Sequence, residues 1–328
     1  MATLVRTDRA RADVGQLRRL GGVALLVAIL AVVGLVLASW MQFLLTVSLA
    51  ESLAVLGVAL LMRAGLVSFG QGLFYAAGGY AVAYGMRLLG LHEALLLLAL
   101  GIVVSALVAA AVGPLICRYR QIFFAMISLA FSMVLYSVLL KFNGITGGSD
   151  GMQVPAATIL GLHVADRVLP AAYYDLTIVC FGIALYAVSA YMASPLGYLA
   201  RAVRDNEIRL EYLGASVQSV TYRTYVLAAA LTGLGGGLTA LAVGHVSPTL
   251  AYWTTSGEFI FAALLGGTSS ALAPVVGTVV FESINSYASA YFPNIWEMVL
   301  GIVMLAIILL LPRGLWTLYE IAARRWSR

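Results

Sequence analysis

Long apolar windows separated by short charged seams run through this chain of 328 residues. No Asp, Glu, Lys or Arg falls in 64–86, 94–116, 121–140, 176–200 or 224–257. Each window is at least as long as the ~20 residues with which an α-helix crosses a bilayer. The full pattern predicts ten spans, at about 23–40, 42–62, 64–86, 94–116, 121–140, 173–193, 224–244, 252–267, 275–291 and 295–311. The eighth is the weakest, because Phe259–Leu265 alone is too short; it must begin near Tyr252 or be a broken helix. Backbone groups in lipid must be bonded internally, and no ten-residue alternation of a β-barrel is visible. The expected fold is therefore an all-α polytopic membrane protein with about ten transmembrane helices.

One stretch interrupts the apolar pattern. Residues 194–223, SPLGYLARAVRDNEIRLEYLGASVQSVTYR, hold seven of the chain's 33 charged side chains. Leu199, Val203, Leu210 and Leu213 follow one helical face, with Arg201, Arg204, Asp205, Glu207 and Glu211 off it. Pro195 suits a helix start, and Gly214 suits the position just past a helix end. One short amphipathic helix, Leu199–Leu213, is expected between two membrane spans. It reads either as a docking element for a soluble partner or as a solvated connector.

Composition agrees with a membrane protein: 62% of residues are hydrophobic and 10% charged, against about 25% charged in soluble domains. The pI near 9.2 does not indicate nucleic-acid binding, since excess Lys and Arg in a membrane protein records orientation. With ten spans, both termini fall on one side. That side then holds 16 of the 19 basic residues, leaving Arg87, Lys141 and Arg167 outside. The positive-inside rule makes it the cytoplasm. The division is a cytoplasmic N-terminal segment 1–22, a transmembrane domain 23–312 and a cytoplasmic tail 313–328. The five arginines before residue 20 and the apolar run after them exceed a signal peptide, so the first span is expected to be retained.

Catalytic chemistry is missing from the sequence. No phosphate-binding G-x-x-x-x-G-K-[ST] loop, HExxH, paired-cysteine or G-x-S-x-G motif occurs. Cys117 and Cys180 lie in or beside apolar runs and read as packing residues. His92, His163 and His245 stand alone at span ends. No catalytic, metal or cofactor site is expected. Two carboxylates are expensive in lipid and therefore informative. Glu51 lies deep in its span, with a functional and a paired structural role both open; Glu282 is expected at the outer end of its helix. The third segment has six glycines in 23 residues, a pattern of close helix packing or of a substrate-lining break. Thr146-Gly147-Gly148-Ser149-Asp150-Gly151 reads as tight external turns requiring positive φ.

Several stretches resemble the permease subunit of ATP-binding-cassette importers for branched-chain amino acids, in its LivM-like branch. RAVRDNEIRLEYLG (Arg201–Gly214) is similar to the family's cytoplasmic signature loop. YRQIFFAMISLAFSMVLYS, TGGSDGM, LLGGTSSALAPVVG and LLPRGL match further segments, and the resemblance covers most of 45–316. It implies an importer-type permease bundle that forms half of an alternating-access pathway. It also implies an ATPase-coupling role for Arg201, Ala202, Arg204, Asp205, Asn206, Glu207, Leu210, Glu211, Leu213 and Gly214. Pathway positions are expected at Glu51, Ser68, Gly70, Gln71, Gly78 and Gly79, and an external loop contact at Thr146, Gly147, Gly148, Ser149, Asp150 and Gly151. The implied partners are a second homologous permease, two cytoplasmic ATPase subunits that use the ATP, and an external solute-binding protein. The implied location is a bacterial inner membrane. Departures from the family's usual pattern, LGVALLMRAG and the Gln in SFGQG, fall near the expected pathway. They leave urea, amides or other small polar solutes as alternative cargo. From another class, a proton-coupled carrier using Glu51 and Glu282 is the second reading.

Overall fold

A computed structural model describes residues 20–162, 165, 167–310 and 314–317. Residues 1–19, most of the tail, the nine arginines there and His163 lie outside the described residues. The chain enters through α1 (Leu20–Val36) and continues through α2 (Ser39–Arg63), α3 (Gln71–Leu89), α4 (Ala94–Ile116) and α5 (Gln121–Lys141). A single turn, α6 (Asn143–Thr146), and a 3-10 turn (Gly148–Asp150) lead into β1 (Met152–Gln153) and then α7 (Leu169–Met192). Next come α8 (Pro195–Asp205), α9 (Glu207–Tyr212), α10 (Val217–Val243) and β2 (His245–Val246), which pairs antiparallel with β1. A 3-10 turn (Pro248–Ala251), α11 (Trp253–Gly266), α12 (Leu272–Tyr291) and α13 (Trp296–Leu310) complete it.

Five helices, α2, α4, α5, α7 and α10, are each long and apolar enough to cross a membrane. The other expected spans fall short for identifiable reasons. α1 and α13 are apolar but shorter than 18 residues. α3 and α12 have 19 and 20 residues, but α3 carries Gly, Tyr and Arg87, and α12 carries Gly, Ser, Tyr and Glu282. α11 has only 14, about 21 Å of helix, so the eighth segment is of the broken kind. The third also differs from expectation: 64–70 is not helical, and the helix starts at Gln71.

α10 is the central post, packed against α2, α3 and α4, while α2 also meets α7, α11 and α12. Buried residues make up 78% of the most apolar window of α2 and 67% of that of α10, against 28% and 22% for α4 and α5. The inner pair is therefore surrounded by protein, and α4 and α5 leave their sides for lipid. Lipid tails are as apolar as leucine, so close packing rather than water exclusion holds such helices together. Gly78 and Gly233 show how: a Cβ on Gly78 would strike the Gly233 carbonyl, and one on Gly233 would strike Ser105. The Ser105 hydroxyl meanwhile donates to the Phe74 carbonyl at 3.0 Å. At this contact the glycines of the third segment serve close packing.

Candidate functional site

The segment between α2 and α3 climbs into the bundle without helical hydrogen bonds, and side chains of two other helices and of its own Ser68 supply partners. Phe69 N–H donates to Ser128 Oγ (3.1 Å), Gly70 N–H to Ser68 Oγ (3.3 Å) and Gly72 N–H to Ser256 Oγ (2.8 Å). Ser68, Ser128 and Ser256 are fully buried. Ser256 belongs to the first turn of α11, so α3 and α11 begin against one another. Ser132, eleven residues or about 16 Å into α5, donates to the Ala251 carbonyl at 2.8 Å. That bond sets the start of α11 halfway along a full-length helix. Two helices thus begin inside the bundle, as discontinuous helices of transporters do at their pathways. Gln71, the first residue of α3, is fully buried. Its Oε1 accepts from Thr232 at 2.7 Å, while its Nε2 finds no partner among the described residues. Gly70 caps α3, and a Cβ there would meet Ser128. Gly78 and Gly79 lie one to two turns further on, against α10.

Beside this junction three carboxyl groups converge from three helices. Glu51 lies twelve residues from Arg63, about 18 Å along α2, within electrostatic range of Glu282. Glu258 of α11 lies within electrostatic range of both. Glu282 is therefore not at the outer end of its helix, as expected, but at its middle, the eleventh residue of α12. Glu258 went unremarked in the sequence, although a lone carboxylate in an apolar run carries the same signal as Glu51. All three are half-buried, and a half-exposed carboxyl at this depth must face protein or water, not lipid. Tyr75, fully buried, donates to or accepts from Thr239 at 2.6 Å and sets its ring 5.1 Å from that of Phe259.

At the arginine-rich end, residues 194–223 form two helices rather than the single one expected. Asn206 breaks the run with extended backbone (φ −167°, ψ 105°), and its Oδ1 accepts from Arg209 N–H at 2.9 Å, capping α9. Ser194 caps α8 with Pro195 at its first position, and Gly214 takes φ +82° past α9, both as expected. The break also divides the apolar face. Val203 and Leu210, each 2% exposed, pack inward with half-buried Leu199, whereas Leu213 is 78% exposed. With Ile208 and Tyr212, also exposed, Leu213 forms an apolar lip that no described residue covers. Arg201, Arg204, Asp205, Asn206 and Glu211 are exposed, and Ala202 is half-buried. Glu207 is tied down: its carboxylate meets Arg120 Nε at 3.1 Å, and Arg120 also donates to the Cys117 carbonyl at 2.7 Å.

The opposite end is pinned by short polar contacts. Thr146 is buried and donates to the Leu139 carbonyl at 2.5 Å; Gly147, Gly148 and Gly151 take φ of +78°, +57° and +68°, as the turn pattern requires. His245 Nε2 bonds the Asp150 carbonyl at 2.8 Å, leaving Ser149 and Asp150 exposed. Glu93, the residue before α4, ties down a neighbouring turn: its carboxylate accepts from Leu160 N–H (2.6 Å) and Gly161 N–H (2.9 Å). Those bonds, the Gly161 one foremost, hold its carboxyl below the usual carboxylate range.

A bundle of apolar helices with two helix starts inside it and a charged helical pair at one end defines a membrane permease subunit. The profile of the family described as "Branched-chain amino acid transport system / permease component" matches residues 40–308, and the chain belongs to that family. It is 27% identical over 274 residues to the high-affinity branched-chain amino acid transport system permease protein LivM of Salmonella typhimurium, which covers 76% of this chain and 64% of the relative. The Escherichia coli LivM protein gives 27% over 278 residues with the same coverage. The LivH permease of Salmonella typhimurium gives 24% over 271 residues, covering 76% and 85%. The chain thus spans about two thirds or less of the LivM relatives' length. No solved structure matches it significantly.

Proposed function

We propose that the chain is the transmembrane permease subunit of an ATP-driven importer for branched-chain amino acids. It forms half of an alternating-access pathway and pairs with a second homologous permease. Two cytoplasmic ATPase subunits bind and hydrolyse the ATP, and an external solute-binding protein delivers cargo to the Thr146–Gly151 end. The observation that carries this reading is the buried junction of α3 and α11, flanked by half-exposed carboxylates at mid-depth, in a chain of this family. In this reading the chain crosses a bacterial inner membrane ten times with both termini cytoplasmic. The exposed lip on α8 and α9 is what the ATPase grips; its closure moves α8 and α9, and through Val203 and Leu210 the bundle behind them. Urea, short amides or other small polar solutes are the alternative cargo.

One observation favours a second reading. Three carboxyl groups gathered at mid-depth from three helices suit a proton-coupled carrier, which would need no ATPase. Orientation tests the first reading: a cysteine at Ser149 reacts with an impermeant thiol reagent outside intact cells, and one at Ser216 does not. The native thiol nearest the charged end interferes little, because burial pushes Cys117 up to about 12. The reverse labelling pattern overturns the topology and the coupling argument together.

A further inference from the structure

A large cavity lies beside α8 rather than at the α3–α11 junction. It measures about 940 Å³ and opens at the arginine-rich end. Arg63, at the end of α2, and Arg201 and Arg204, one turn apart on α8, line it. They are close enough to repel one another. Asp205 is the one carboxylate in the lining, so two positive charges remain uncompensated. Neither Arg201 nor Arg204 makes an ion pair among the described residues; the single such pair is Arg120–Glu207.

Gathering three guanidinium groups around open space is unfavourable unless an anion joins them. Other features of the cavity favour a phosphate group. Thr268 and Ser269 stand in its wall with hydroxyl groups. The Arg63 guanidinium is aimed by its bonds to the Thr268 and Ser269 carbonyls, at 3.1 and 3.4 Å, and a planar guanidinium suits phosphate oxygens. Met62, Val67, Ala263 and Leu264 line the cavity as well. Cations and hydrocarbon in one cavity match an amphiphile. Arg63 ends a helix long enough to cross the bilayer, and arginine-rich ends meet the cytoplasmic leaflet, where anionic lipids concentrate.

We propose that this cavity is a phosphate-binding site, filled by the headgroup of an anionic phospholipid from the cytoplasmic leaflet. The site does not depend on what the chain transports. The test uses the purified full chain in zwitterionic detergent, with native mass spectrometry as readout. Short-chain phosphatidylglycerol, short-chain phosphatidylcholine and inorganic phosphate are offered as separate probes. Phosphatidylglycerol is retained in preference to phosphatidylcholine, and Arg63→Gln weakens it about tenfold, the loss expected for one charge-assisted contact. Arg201→Gln, an exposed position whose loss does not threaten folding, weakens it similarly, and Arg118→Gln outside the cavity does not. Retention of inorganic phosphate with the same arginine dependence, but no preference between the lipids, keeps the phosphate chemistry and makes the source a soluble anion. Equal retention of both lipids with no phosphate binding overturns the proposal. So does displacement of bound phosphatidylglycerol on adding the ATPase subunit, which assigns the cavity to acidic side chains of that partner.

Discussion

Two interruptions of helical structure in this protein are solved in opposite ways. Between α8 and α9 the chain breaks in water, and Asn206 repairs the break with its own side chain, bonding Arg209 N–H three residues on. Between α2 and α3 it breaks inside the bundle, and the repair comes from Ser128 and Ser256, 59 and 184 residues away in sequence from the groups they bond. Water satisfies whatever Asn206 leaves over, so the outer break keeps its apolar lip free for a partner. Phe69 and Gly72 bond instead to side chains of two other helices, so those helices must be fixed in place to supply them. An interruption in water is local and available; one in the bilayer binds distant parts of the chain together.

The largest expected effect comes from unmaking the inner repair. The Ser128→Ala/Ser256→Ala variant leaves two buried N–H groups without partners, each costing about 1–3 kcal/mol. Thermal unfolding of the full chain in detergent falls well below the parent. An unchanged transition would mean that the junction is wet.

Leu213→Asp acts on the outer break without touching the bundle, since Leu213 is exposed. Burying that charge against a partner costs several kcal/mol, so co-purification with the ATPase is lost while the chain still inserts and melts like the parent. Glu207→Ala serves as its control, because the half-exposed pair with Arg120 is worth under about 1 kcal/mol. Intact co-purification of the Leu213→Asp variant would make α8 and α9 a connector.

Asn206→Ala sharpens the comparison from the other side. Loss of a cap costs about 1 kcal/mol, and the effect is confined to α9. Amides of Glu207–Tyr212 exchange faster, whereas the global unfolding temperature is unaltered. A global drop would show that the break in water is as tightly tied to the bundle as the buried one.

The smallest effect lies at the far end. The bonds from Gly161 and Leu160 N–H favour the charged form of Glu93, so the stability they give is present above the ordinary carboxylate pKa. It is lost as pH falls through the lower folded value. Hydrogen exchange at Leu160 and Gly161 should quicken in that acidic window, and be quick at all pH in Glu93→Gln. No pH dependence in the parent would show that the Glu93 carboxylate does not hold this turn.

What the sequence revealed follows the same division. The positions of α2, α4, α5 and α10 were visible to within several residues, because an apolar run between charges is a local signal. Pro195 and Gly214 marked the ends of the docking segment for the same reason. The break at Asn206 was missed because the spacing of Leu199, Val203, Leu210 and Leu213 fits one helix; only the extended Asn206 backbone separates Leu213 from the rest. The start of α3 at Gln71 was hidden, since nothing in Ala64–Gly70 tells that Ser128 and Ser256 stand ready to bond it. Glu282 was misplaced even though the hydropathy span 275–291 holds it near its middle, and its proximity to Glu51 joins residues 231 positions apart.

Uptake into vesicles is the most direct test that this chain couples to an ATPase. Vesicles are reconstituted with the chain, its permease partner, the ATPase subunits and the binding protein, and supplied with labelled leucine or valine. The account predicts accumulation that requires ATP on the cytoplasmic face, resists a protonophore and persists in Glu282→Gln. Uptake by the chain alone under an imposed pH gradient, lost in Glu51→Gln or Glu282→Gln, would contradict it.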